Sequence, residues 1–592
     1  MHKLNDVIVM DEQLRDILSK VQKPGRYIGG EINSVRKEWT DGMTSVVLAY
    51  PDTYEVGMSY LGLRILYHLI NERDDVVCER VFAPWTDMEH ELRAGGRKLF
   101  SLETRTDLSR FDIVGFSLVY ELTYTNVLNM LDLGGITVRS GARREEEPLV
   151  IAGGACCYNP EPMSDFIDVF IIGDGEEAFP RFIDKYRELK AKGLKRKEIL
   201  RGLSGLDGVY VPFLYEAEYA EGRFRGLRPA GEGVPGGVNR AFVRDLENAY
   251  YPVKQIMPYV SIVHDRISVE IMRGCPNMCR FCQASSVNRP LRIRSVGRVR
   301  EICRETYKNT GYERMALLSL SSVNYPYLSE LVTALNQDFR DKGVGISIPS
   351  LRVDEAFYEM PAMIATIRKA GLTFAPETAS ESIRRSIGKD IDEGILCKSA
   401  LLAYRHGWNK IKLYFMVGFP DEAEEEAEKI VALAGELSRL RKKVSKGSAE
   451  IRVSVNPFVP RPHTPFQWLG MRSREYLTRV RNLLVSRAPK KVTIDFHNID
   501  QSILEACLAR GGRRAGDVIF RAWEKGARMD GWKESFDFPR WEEAFGAFGM
   551  DMESFATKAF SPGDKLPWSH IRTASGEEEL VRELERSGFW VK

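Results

Sequence analysis

Two successive runs of alternating strand and helix patterns constrain this 592-residue chain more than any other feature. In the first run, residues 44–180, the segment TSVVLAY at 44–50 is apolar and β-branched, residues 61–70 carry helical spacing, and 113–118 and 149–152 are further strand-like runs. Such alternation builds a parallel sheet covered by helices on both faces, with ligands at the carboxyl ends of the strands. In the second run, strands are expected from Ile267 (ISVEIM), Arg314 (RMALLSL), Val344 (VGISIP), Gly371 (GLTFAP), Lys410 (KIKLYFMV) and Glu450 (EIRVSVNPF). Helical segments separate them, which predicts a partial α/β barrel with its active site at the strand carboxyl ends.

The expected fold is therefore α/β. A doubly wound, Rossmann-like domain over 44–180 follows an extension of 1–43, and a connecting module over 181–260 leads to a partial (βα)6 barrel over 261–470. Residues 471–592 read as mainly helical. The connecting module holds a charged segment, DKYRELKAKGLKRKEIL, read as a solvated helix face, and a Gly/Pro-rich linker, RPAGEGVPGG. With 85 Lys and Arg against 83 Asp and Glu, the net charge of +2 gives no global field favouring nucleic acid or a membrane. The N-terminal residues mix acids among apolar positions and lack a signal-peptide core, and no run has the roughly 18 uncharged apolar residues of a spanning helix. A cytoplasmic location is expected.

Nine cysteines in such a chain are expected to stay reduced. Cys78, Cys303, Cys397 and Cys507 stand singly in apolar or mixed segments, as small buried hydrophobes do. By contrast, Cys275, Cys279 and Cys282 form C-x3-C-x2-C directly after the first strand of the second run. Three thiolates this close on one loop converge on one inorganic centre, iron–sulfur or zinc. Structural zinc normally takes four protein ligands, and the fourth would have to be Cys303 or a distant His. A four-iron cluster on three cysteines leaves one iron open for chemistry.

The cysteine loop, with Phe281 before its last cysteine, resembles the signature of the radical S-adenosylmethionine (SAM) superfamily. The resemblance implies that the open iron chelates SAM and that the reduced cluster cleaves it to a 5′-deoxyadenosyl radical, with a low-potential donor such as flavodoxin or ferredoxin supplying the electron. Later strand ends follow the same pattern. TFAPETASESIRRSIGK makes Glu377 and Ser380 candidate SAM-binding residues, SLRVD adds Arg352, YFMVGFP adds Met416 and Gly418, and Ser319 ends the second strand. The family's usual Gly-Gly-Glu is absent there. For Glu377 the alternative role is an acid at a helix N-terminus.

Three motifs mark the strand ends of the first run. YPDTYEVGMSYLG holds Tyr54 and Gly57, GFSLVYE holds Ser117 and Leu118, and IAGGACC with IIGDGEEAF supplies Gly153, Gly154, Gly173, Gly175 and Glu176. Upstream of such a barrel they resemble the cobalamin-binding domain of the cobalamin-dependent radical SAM subfamily. FVPRPHTPFQW (458–468) and LPWSHI (566–571) extend the resemblance to a bacterial family within it. Where some cobalamin domains carry Asp-x-His-x-x-Gly, this chain has Asp52-Thr53-Tyr54-Glu55-Val56-Gly57, and Tyr54 cannot ligate cobalt as a neutral imidazole. The leading expectation is an enzyme that uses SAM and cobalamin to methylate or otherwise modify an unactivated carbon. The alternatives are a cobalamin-free, methylthiotransferase-like enzyme acting on RNA or protein, and a non-catalytic cobalamin or iron–sulfur sensor.

Overall fold

The structure, a computed structural model, describes residues 11–220, 223–348, 372–389 and 391–590. The N-terminal sheet contains β1 (Thr44–Tyr50), β2 (Val76–Phe82), β3 (Ile113–Ser117), β4 (Leu149–Gly153), β5 (Val169–Ile171) and β6 (Val209–Tyr210), in the order 2-1-3-4-5-6. All neighbours are parallel except β5 and β6. Every residue of β1 and β2 is buried, as expected for strands covered on both faces. The sequence reading passed over β2 because Glu79 and Arg80 interrupt its apolar run. Burying Arg80 requires partners, and Glu31 at 2.8 Å and Glu103 at 2.6 Å supply them.

The connecting stretch holds a hairpin of β7 (Tyr215–Ala220) and β8 (Arg223–Pro229), then β9 (Val238–Asn239). The barrel-type region opens with β10 (Ile267–Glu270), followed by the antiparallel pair β11 (Met272–Arg273) and β12 (Arg292–Ile293). β13 (Arg314–Leu318) and β14 (Gly345–Ser347) complete a parallel sheet in the order 10-13-14. A second parallel sheet runs β15 (Leu372–Glu377), β16 (Lys410–Val417), β17 (Glu450–Pro457) and β18 (Val492–Phe496). On β16 and β17, Ile411, Leu413, Phe415, Ile451, Val453 and Val455 are buried, while Tyr414, Met416, Ser454 and Asn456 on the alternate face keep contact with solvent. This period of two assigns one face to the helices and leaves the other open.

β18 is a seventh strand, inside the region read as helical. It is short, ends a sheet and carries Asp495, so its sequence gives little strand signal. Helices Ile499–Ala509, Ala515–Glu524, Phe538–Gly546, Met552–Thr557 and Glu577–Ser587 follow, and β19 (Ile571–Arg572) pairs with β9. The segment around the helix Ala515–Glu524 folds back on the N-terminal domain: Thr125 of the helix Tyr124–Leu133 donates to Asp530 at 2.7 Å, and Arg513 pairs with the fully buried Glu161 at 3.0 Å. Among the described residues no helix is long and apolar enough to cross a membrane.

Candidate functional site

The cysteine loop leaves the carboxyl end of β10 through β11. Gly274 has φ +89°, and a Cβ there would lie 2.7 Å from the Asn288 carbonyl, so only glycine fits before Cys275. The Cys275 sulfur accepts from Asn277 Nδ2 at 3.4 Å, and Asn277 is held in turn by Asn324 at 3.0 Å. Cys282 caps the short helix Gln283–Val287, its sulfur accepting from Ser285 N at 3.4 Å. Arg280 pins the loop from outside, donating to the carbonyls of Arg385 and Ser386 and to Glu583. Cys279 and Cys282 are half-buried and Cys275 is buried.

The other cysteines are placed differently. Cys78, Cys156, Cys157, Cys303 and Cys507 are buried, and burial pushes the Cys303 thiol up to about 12. Cys303 sits in the core on helix Val296–Thr310. Among the described residues, no three His, Cys, Asp or Glu side chains converge as a single metal ion requires. A four-iron cluster takes each cysteine on a different iron, and three thiols on one loop, two of them already accepting hydrogen bonds, are a donor set that fits it.

The candidate SAM residues divide. Phe281 and Met416 pack against one apolar cluster that includes Phe419, Phe458, Phe466 and Trp468. Glu377, at φ +68°, ends β15, and its carboxylate pairs with Lys389 at 2.6 Å. It precedes the helix Glu381–Ser386 by four residues, so it is not a helix-terminal acid. Ser380 is 1% exposed and donates to Glu426 at 2.7 Å, while Ser319 shares a 2.9 Å hydrogen bond with Ser322. Arg352 lies outside the described residues. Sequence reasoning missed Glu422, which closes the turn after β16 by accepting from Gly418 N at 2.5 Å and Tyr476 Oη at 3.1 Å. Burial pushes its carboxyl up to about 7, against the pull of those two donors. The signal was available in the GFPDE turn that begins at Gly418.

At the N-terminal sheet, Tyr54 is 1% exposed and donates to Glu31 at 2.7 Å, so its side chain belongs to the ion cluster around Arg80 and not to the ligand edge. A Cβ on Gly57 would strike the Phe82 ring at 2.4 Å. Gly154 (φ +121°) and Gly173 (φ +104°) face backbone so closely that a Cβ on them would lie 2.4 and 2.2 Å from the carbonyl oxygens of Leu118 and Ala241. These glycines answer to packing within the chain. Leu118 is buried and donates its N–H to the Gly153 carbonyl at 2.7 Å, joining the ends of β3 and β4. Glu176, the other departure from expectation, is turned to the barrel, where it pairs with Arg273 at 2.5 Å.

An open sheet of this order offers ligands the crevice where the strand order reverses, between β1 and β3. Here the chain's own C-terminal segment reaches that crevice. Trp532 donates to Asp52 at 2.9 Å, Met529 N donates to Asn126, and the Trp532 ring meets Trp85 edge-on. The side toward β5 stays accessible, with Ser117, Gly153 and Gly175 half-buried and Ala155 exposed.

Two family models match the chain: "Radical SAM proteins, N-terminal" over residues 62–212 and "Radical SAM superfamily" over residues 269–434, which contains the cysteine loop. The chain belongs to the radical SAM superfamily. An uncharacterised protein of Methanocaldococcus jannaschii is 28% identical over 471 residues, covering 79% of this chain and 88% of that protein. An uncharacterised methyltransferase of Pyrococcus horikoshii is 24% identical over 351 residues, 54% of this chain and 68% of the other. Among solved structures, the radical SAM methyltransferase TsrM from Kitasatospora setae, with cobalamin and a 4Fe-4S cluster bound, aligns with a TM-score of 0.46 at 12% identity, covering 72% of this chain and 74% of that one. The cobalamin-dependent radical SAM enzyme OxsB aligns with a TM-score of 0.45 at 10% identity, covering 92% and 79%.

Proposed function

We propose that this radical SAM protein is a cobalamin-dependent methyltransferase acting on an unactivated carbon. The observation that carries the reading is the three-cysteine loop at the carboxyl end of β10, beside the open face of the second sheet. Cys275, Cys279 and Cys282 would hold a 4Fe-4S cluster, which, when reduced, cleaves SAM to methionine and a 5′-deoxyadenosyl radical. Phe281 and Met416 would give SAM an apolar wall, and Glu377 with Lys389 a charged pair within reach of its polar groups. The half-open edge at Ser117, Gly153 and Gly175 would take the cobalamin that supplies the methyl group. The N-terminal sheet has the 2-1-3-4-5 strand order of open sheets that bind ligands at their carboxyl edge, and with Trp532 and Met529 at the β1–β3 crevice the accessible part of that edge lies toward β5. Cys78, Cys156 and Cys157 are buried thiols, a poor set for the second cluster of a methylthiotransferase. A cytoplasmic setting, with a flavodoxin- or ferredoxin-type donor, follows from the same reading.

The test is SAM turnover by the full chain after anaerobic reconstitution and reduction. Chromatography should show 5′-deoxyadenosine formed slowly without substrate. An intact, reducible cluster that forms none would favour the sensor reading.

A further inference from the structure

Arg273 stands two residues before Cys275, and its side chain is 13% exposed. It meets three carboxylates: Glu270 at the end of β10 (2.8 Å), Glu176 (2.5 Å) and Asp174 (3.2 Å). Asp174 is the N-cap residue and Glu176 lies in the first turn of the helix Gly175–Ala191, which follows β5 at the carboxyl edge of the N-terminal sheet. Asp174 also takes Arg292 at 2.6 Å and the Val243 N–H at 2.9 Å. Arg292 is the register partner of Arg273 across the β11–β12 pair and lies 4.0 Å from the centre of the Phe242 ring. Three carboxylates and two guanidiniums are thus joined in a largely buried group with one net negative charge, Glu270 being the most exposed member at 20%. This group bridges the base of the cysteine loop and the edge proposed for cobalamin.

Groups of this kind are poor sources of net stability, because desolvation offsets much of their attraction. They are strong determinants of geometry, since removing one member strands the others in a low-dielectric setting. We propose that Arg273 is a positioning residue that ties the cysteine loop to the carboxyl edge of the N-terminal sheet, so that one largely buried ion group sets the spacing of the two cofactor sites. The proposal rests on the functional reading above for what the two sites hold, but the tie itself is a property of the chain.

Hydrogen–deuterium exchange on the full-length protein tests the tie without any cofactor. In Arg273→Gln, and separately in Glu176→Gln, amides in both 172–177 and 272–282 should exchange at least roughly tenfold faster, equivalent to about 1.4 kcal/mol of local stability. Arg273→Lys should restore part of the protection. Arg300→Gln, which breaks the remote Arg300–Asp338 pair, should leave both segments unchanged. Faster exchange confined to the mutated side would overturn the proposal. In the reconstituted protein, the cluster's reduction potential should fall in Arg273→Gln and rise in Glu176→Gln, because one variant removes a positive charge and the other a negative one. Shifts of the same sign, or none, would reduce the group to a structural role. Failure to bind iron would sink the functional reading while leaving the exchange result intact.

Discussion

Cys275, Cys279 and Cys282 differ from the other six cysteines in lying three together on one loop, where the sulfurs of Cys275 and Cys282 accept hydrogen bonds from Asn277 and Ser285. Replacing any one with Ala should abolish the cluster, read as loss of iron and sulfide from anaerobically reconstituted protein. Stoichiometric zinc without sulfide would contradict the assignment. Glu377 makes a separate prediction. Its carboxylate is held by Lys389 at the end of a strand and plays no part in the cysteine loop. Glu377→Ala should therefore weaken SAM binding, measured by equilibrium dialysis, at unchanged iron content. Equal loss of both would assign Glu377 to the fold.

At the scale of elements, two turns make opposite demands. The turn after β16 buries Glu422, whose carboxyl is pushed up to about 7 from an ordinary 4.5. A carboxyl raised on folding binds its proton more tightly in the native state. Its contribution is complete below about pH 4.5 and is lost as pH rises through about 7, at up to about 1.4 kcal/mol per unit. Glu422→Gln should remove this dependence, so between pH 5 and 8 the wild type should lose more stability than the variant in urea unfolding. Parallel curves would refute the shift. The turn after β4 contrasts two glycines. Gly154→Ala places a Cβ 2.4 Å from the Leu118 carbonyl oxygen at φ +121° and should destabilise by more than about 1 kcal/mol. Gly153→Ala meets only the Ile171 oxygen at 3.5 Å, so it should leave the unfolding midpoint in place while weakening any corrinoid bound at that edge.

For the whole molecule, the C-terminal segment decides how much of the N-terminal edge remains for a ligand. Trp532 and Met529 occupy the side nearest β1, and Tyr54 is committed to Glu31, so no histidine is offered from the first loop. Protein purified from cobalamin-supplied cells should show a corrinoid spectrum. Electron paramagnetic resonance of its cobalt(II) form should lack nitrogen superhyperfine splitting from an axial ligand. Protein that carries no corrinoid under these conditions would leave the cobalamin-free enzyme as the better reading.

The alternation of strands and helices and the cysteine spacing were determined by sequence alone, because each is written in residues a few positions apart. The parallel sheets and the position of the cysteine loop after β10 followed from those patterns, whereas the shared apolar cluster of Phe281 and Met416 is visible only in the structure. Tertiary structure decided the rest. β2 is a strand because Glu31 and Glu103 neutralise Arg80 from outside it, and β18 is one because β17 offers it an edge. Glu176 finds Arg273 from 97 residues away, and Trp532 finds Asp52 from 480. A buried charge or an indole N–H must find a partner wherever the fold brings one, and no local pattern records which partner that is.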